Sequence, residues 1–176
     1  MNDVEPSNFI QCGIHTSKAD IWVHISPFEL RLYWYFCDSA KQYITRHCPP
    51  TKMARSKDGS ITGYGYLIDA FSEFIKNLEF PEAYLSDLDW SALTDNQAGR
   101  ECERIAARCI ENGIFVLPLI CEKSSLHDDL KLGIDLRTRT ANLQVKCDKP
   151  TLRTHNLFVQ KSEFHHSTNA IPGVAA

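Results

Sequence analysis

The chain has 176 residues, 43% of them apolar and 23% charged, which suits one globular domain of ordinary size with enough apolar material to fill a core. The net charge of −3 counts against the many phosphate contacts by which a basic protein grips a long duplex. No stretch approaches the roughly eighteen continuous apolar residues of a membrane helix, and the acidic start MNDVEPSNF does not read as a secretory leader. Seven cysteines, an odd number without a C-x-x-C pair, point to reduced thiols in a cytoplasm rather than to disulfides or a zinc knuckle.

In chain order, residues 21–26 (IWVHIS) alternate in the manner of a strand, and ELRLYWYFC repeats the pattern more strongly. Leu30, Leu32, Trp34 and Phe36 fall on one face of that second run; Arg31, Tyr33 and Tyr35 fall on the other. Pro27 between the runs suggests a hairpin-like connection. Asp38-Ser39 resembles a helix cap, followed by a short helix with Tyr43 and Ile44 that Pro49-Pro50 stops. ARSKDGSITGYG reads as a polar loop. From Tyr66 the spacing of Leu67, Phe71, Phe74, Ile75 and Leu78 predicts a helix, ended by Pro81. PEAYLSDLDWSALTDN is a mixed connector and the best boundary between two halves of the chain. Thr94-x-x-Gln97 then resembles a capping box. Cys102, Ile105, Ala106, Cys109 and Ile110 form the apolar face of the helix it starts, and Gly113 sits where a C-terminal cap belongs. IFVLPLI reads as a strand in which Pro118 signals an edge or bulge. LKLGIDL and ANLQVKC are two further strands joined by RTRT, and NLFVQKS is a fourth. The expected architecture is one α/β domain over residues 1–176, with a mixed β-sheet flanked by helices.

Side chains two apart in a strand share a face, so Gln144 and Lys146 project together while Leu143, Val145 and Cys147 project into a core. The neighbouring strand brings Asp135 alongside, and the preceding helix offers Glu101 and Glu103. Carboxylates and an amide oxygen suit a hard divalent cation, which magnesium-type sites often hold by one or two carboxylates plus water and substrate phosphate. A lysine beside such an ion can orient a water or stabilise developing charge, which is the equipment for metal-assisted phosphodiester hydrolysis. From Lys131 to Lys161 the chain carries seven basic residues and only Asp135 and Asp148 as acids, so positive charge gathers around this motif.

GID, a short turn and LQVK together resemble the PD-(D/E)XK nuclease superfamily, in the variant with Gln in place of the last acid and similar to Mrr-type restriction endonucleases. GRECERIAARCIENG looks like that superfamily's first helix. The resemblance implies an α-β-β-β-α-β restriction-endonuclease-like core, Mg2+ (or Mn2+), and hydrolysis of DNA or, less often, RNA. Carried over by position, Asp135, Glu103 and the Val145 carbonyl would bind metal, Gln144 would be a weaker ligand, and Lys146 would act on the attacking water; Glu101 is the alternative helix acid. The substrate backbone would meet Arg137, Arg139, Lys149, Arg153, Thr154 and Asn156. QVKCD followed by THNLFVQ is also similar to phage and mobile-element nuclease-like proteins, with His155 and Gln160 departing from their pattern. In that group, segments resembling CGIHTSKADIWVHI, LRLYWYFCDSAKQYI and SITGYGYLI follow the last strand, whereas here they precede it. A circular permutation follows, with residues 12–79 as the usual C-terminal half and 97–164 as the usual N-terminal half. It requires the chain near Phe164 to end close to Cys12.

Each of these residues also has an ordinary structural reading. Asp135, Gln144 and Lys146 could be a solvated strand face, Ser17, Lys18 and Asp20 a polar turn, and Asp128-Asp129 a loop or cap. Trp22, Trp34 and Tyr35 could stack on bases, although alternating aromatics are more often sheet core. His165-His166 are adjacent residues that diverge in a polar tail. The competing function is a catalytically inactive nuclease-like fold that binds nucleic acid or protein as an inhibitor, favoured by Gln144, Gln160 and the negative net charge. A subunit of a larger particle is a weaker third. A homodimer is an expectation only because cutting two strands often uses two active sites.

Overall fold

The structure, a computed structural model, describes residues 9–55, 58–85, 87–115, 121–147 and 156–164. The elements run as follows: β1 (Phe9–Gln11), a 3-10 turn (Gly13–His15), β2 (Ile21–Ser26), β3 (Arg31–Phe36), α1 (Cys37–His47), β4 (Thr51–Arg55), β5 (Ile61–Asp69), β6 (Lys76–Glu79), a second 3-10 turn (Glu82–Leu85), α2 (Asp95–Glu111), β7 (Glu122–Lys123), a wide helical turn (Asp128–Leu132), β8 (Leu136–Arg137), β9 (Asn142–Cys147) and β10 (Asn156–Phe164). They build a mixed α/β fold with two sheets rather than one. A six-stranded sheet has the order β6-β3-β2-β9-β8-β7, and a four-stranded antiparallel sheet has the order β1-β10-β5-β4. The first is mixed because β2 and β9 pair in parallel, with Trp22 opposite Gln144 and His24 opposite Lys146.

The alternation in β2 and β3 feeds two cores. Ile21, Val23, Ile25 and Leu32 join Leu136, Leu143 and Val145 against Cys102, Ile105, Ala106, Cys109 and Ile110 of α2. On the opposite face Trp22, Tyr33 and Tyr35 meet α1 through Ala40 and Ile44, and the second sheet through Ile68, Leu157 and Val159. Every residue of β2 is buried, as a strand covered on both faces requires. Each fully buried Ile or Val contributes about 1.5–3 kcal/mol relative to exposure. The seven cysteines are not in disulfides, and burial pushes the Cys109 thiol up to about 12.

The α2 helix forms as its sequence predicts. The Thr94 hydroxyl accepts from the Gln97 N–H, and the Gln97 side chain accepts from the Thr94 N–H. At the other end Gly113 has φ +70°, its N–H donates to the Ile110 carbonyl and the Ile114 N–H to the Cys109 carbonyl, which together close a Schellman cap.

Four expectations need correction. ARSKDGSITGYG is not a loop throughout, since Ala54 and Arg55 end β4 and β5 begins at Ile61. Residues 66–78 are not a helix: β5 continues to Asp69, a turn follows in which the Asp69 carboxylate accepts from the Phe71 N–H, and β6 begins at Lys76. β5 lies between β10 and β4, and ladder bonds on both sides override the local period; Phe71, part of the supposed stripe, is 62% exposed. LKLGIDL is not one strand, since Asp128–Leu132 is helical and only Leu136–Arg137 pairs. The helix after β3 starts at Cys37 with Phe36 as cap residue and no side-chain cap, so Asp38-Ser39 lies inside its first turn. Val116 to Ile120 of the IFVLPLI strand lie outside the described residues.

β1 joins the two ends of the described chain. Phe9 pairs with Phe164 and Gln11 with Ser162, and the Cys12 N–H donates to the Lys161 carbonyl at 3.0 Å. The proximity that a permuted connection requires is therefore present. At this junction Gly13 has φ +60°, and an added Cβ would lie 2.2 Å from the Gln160 carbonyl oxygen, so only glycine fits.

Candidate active site

Asp135 stands where β8 stops short beside β9. Its N–H donates to the Leu143 carbonyl, and its Oδ2 accepts from the Val145 N–H at 2.6 Å. The carboxylate thus replaces the ladder acceptor that a longer β8 would supply. The N–H and C=O of a strand residue point to the same neighbour, so the Val145 carbonyl faces this side as well. Asp135 is 6% exposed. Burial pushes its carboxyl up to about 7; Glu103 and Asp129 add to the rise, while the Val145 N–H and Lys146 oppose it.

Glu103 therefore answers which helix acid reaches the strand edge. Its carboxylate acts on Asp135 and is 3.2 Å from Lys123 Nζ on β7. Glu101 is bonded to Arg104 at 2.8 Å, and Arg104 also donates to the Tyr84 carbonyl.

Gln144 is 8% exposed. With the amide turned to satisfy its neighbours, its NH2 donates to the Gly133 carbonyl at 2.9 Å and to Ser17 Oγ at 3.3 Å, and its oxygen accepts from Lys146 Nζ at 3.2 Å. That oxygen holds the lysine and does not face the carboxylates as a metal ligand would. Lys146 also lies 5.6 Å over the Trp22 ring, a cation–π contact. Gly133 makes room for this arrangement. Its φ is +60°, and an added Cβ would come 2.7 Å from the Gln144 amide.

Ser17 is the residue that sequence reasoning undervalued as a polar turn. It is buried; its hydroxyl donates to the Gly133 carbonyl and accepts from the Ala19 N–H and Trp22 Nε1. Asp20, in the same loop, accepts from the Asn142 N–H at 2.8 Å. The signal was the cluster of short polar residues ahead of a strand, but its partners lie over a hundred positions away. Trp22 and Tyr35 are core, with Tyr35 Oη 2.9 Å from His24 Nε2 beneath the same face.

Among the described residues, the expected nucleic-acid contacts Arg137, Arg139 and Asn156 do not gather into one cluster. Arg137 is paired with Asp128 at 2.8 Å, Arg139 is exposed in the turn, and Asn156 is exposed at the start of β10 in the other sheet. Lys149, Arg153 and Thr154, and likewise Asp148, His155 and His165-His166, lie outside the described residues.

The residues that the resemblance would give to a magnesium-type cation are Asp135 and Glu103. Both are hard oxygen donors, and the rise of the Asp135 carboxyl comes first from burial, with the charges of Glu103 and Asp129 as lesser contributions. Among the described residues no group of three or more His, Cys, Asp or Glu could hold a metal ion. Also among the described residues, no helix is long and apolar enough to cross a membrane. Comparison with protein-family models, with curated proteins and with solved structures returned no match.

Proposed function

We propose that the chain is a metal-dependent nuclease with a restriction-endonuclease-like core, circularly permuted, that hydrolyses phosphodiester bonds in DNA. What carries this reading is the buried Asp135 carboxylate bonded to the Val145 N–H, one residue from Lys146 on β9, with Glu103 of α2 turned to the sheet at Lys123. Part of the topology supports it: α2 followed by the meander β7-β8-β9, with β2 as the parallel neighbour of β9, matches the α-β-β-β start of the implied succession, while no second helix follows β9 among the described residues.

Asp135 and Glu103 would hold the cation, with the Val145 carbonyl beside them. When bound, a divalent ion supplies polarisation of a phosphoryl oxygen and a more acidic water. Lys146 holds its ammonium between the Gln144 oxygen and the Trp22 ring, from where it would hydrogen-bond an attacking water or a phosphate oxygen. Gln144, itself held by Ser17 and Gly133, fixes that ammonium through its oxygen. Lys146→Ala should abolish magnesium-dependent cleavage while leaving the unfolding midpoint within about 1 kcal/mol, because the removed cation is at the surface edge of the site. Equal cleavage by variant and parent refutes the mechanism.

One contact favours the catalytically inactive binding module instead: Lys123 already neutralises Glu103. Calorimetric titration with magnesium or manganese separates the two, since the nuclease binds metal through Asp135 and the binding module does not.

A further inference from the structure

An open cleft of about 790 Å³ lies at the N-terminal ends of β2 and β9, where β3 hands over to α1. Its wall is aromatic. Trp34, Phe36 and Phe115 line it, with the Trp34 ring edge-on to Phe36 at 5.6 Å and to Phe115 at 5.0 Å. Phe36 is 53% exposed, a large apolar surface left facing solvent at the end of a strand whose other aromatics are covered.

The cleft also carries cations. Lys18 is exposed and has no ion-pair partner among the described residues; Lys41 stands 4.0 Å from Asp38. The other acid of the lining, Asp20, is engaged by the Asn142 N–H. The floor is continuous with the candidate active site, because Ser17 lines the cleft and its hydroxyl bonds the Gly133 carbonyl and the Gln144 amide.

We infer that this cleft is a nucleoside subsite: it takes an unpaired base of a nucleic-acid strand, stacked on the exposed Phe36 ring with the perpendicular Trp34 ring against the base's edge, and with the adjoining phosphate on Lys18. Aromatic faces with a nearby cation are how proteins hold single strands without sequence preference. The volume lies in the range of sites for small ligands. A base inside a duplex hides both faces in the stack, so an aromatic wall of this kind is useful only for a strand that is single or splayed. The net charge of −3 agrees with a protein that grips a few nucleotides rather than a long duplex. The inference rests on the nuclease reading for its assignment to substrate, and it narrows that substrate to single-stranded or frayed nucleic acid.

The test uses the full chain in chelator, titrated with a short oligothymidylate and with a blunt duplex of equal length, read by strand anisotropy and by tryptophan quenching. The single strand should bind more tightly than the duplex and quench the fluorescence. Phe36→Ala and Lys18→Ala should each weaken binding about tenfold or more, whereas Thr94→Ala, in the capping box away from the cleft, should bind as the parent does. Phe36→Ala changes an exposed side chain, and its unfolding curve checks that the fold survives. Binding unchanged in both cleft variants, or preference for the duplex, overturns the subsite. Cleavage assays with magnesium run in parallel: if nothing is cut yet the cleft variants lose the single strand, the nuclease reading fails and the subsite stands; if Lys146 is essential for cleavage and the cleft variants bind and cut normally, the reverse holds.

Discussion

Replacing Asp135 by asparagine keeps an oxygen for the Val145 N–H and removes the charge. In the native protein burial holds the carboxyl up to about 7, against a usual value of 3.8. Between those values the folded state keeps a proton that the unfolded chain has released, so stability falls as pH rises through this window and is level above it. A displacement of about three units at about 1.4 kcal/mol each sets a ceiling of roughly 4 kcal/mol. The asparagine variant lacks this slope. At pH 8, in chelator, it should be more stable than the parent by about 2–4 kcal/mol, and near pH 4 the two should converge to within about 1 kcal/mol. Urea denaturation at both pH values measures the difference directly. Magnesium at pH 8 should restore the parent by neutralising the charge and leave the variant unmoved. Parallel stability–pH curves for parent and variant, or a variant weaker at pH 8, would refute the reasoning that Asp135 is held ionised at a cost.

Gly133→Ala should destabilise by about 1–3 kcal/mol and slow cleavage, since the new methyl group meets the Gln144 amide at a positive φ; unfolding and rate assays on one preparation check both. Ser17→Ala should lower kcat with little change in KM, because it loosens Gln144 and through it Lys146 without touching substrate. Thr94→Ala should cost about 1 kcal/mol of stability and leave cleavage unchanged, since the capping box is remote from the site.

Local patterns were legible where local forces decide. The capping box, apolar face and Gly113 of α2 all lie within one segment, and the paired faces of β2 and β3 follow from alternation alone. Strand β5 misled because its partners β10 and β4 impose a ladder that the spacing of Leu67, Phe71 and Phe74 does not encode. Gln144 and Lys146 were legible as a pair because strand periodicity puts them on one face of β9, whereas Asp135 reaches β9 from the coil before β8, through the Val145 N–H. What Gln144 does was not legible: its bonds to Ser17 and Gly133 depend on a loop from the opposite end of the chain, and the cleft beside it arises from the ends of three strands.

The parallel pairing of β2 with β9 has a consequence for synthesis. During translation β2 leaves the ribosome well over a hundred residues before Asn142, the start of its ladder partner, and before the helix that covers its outer face. A strand buried on both sides in the finished protein is meanwhile a bare apolar ribbon with open N–H and C=O groups. β3 closes one edge of it soon after synthesis, but the edge that takes β9 stays open until Asn142–Cys147 emerges, so completing the sheet is a late and slow step.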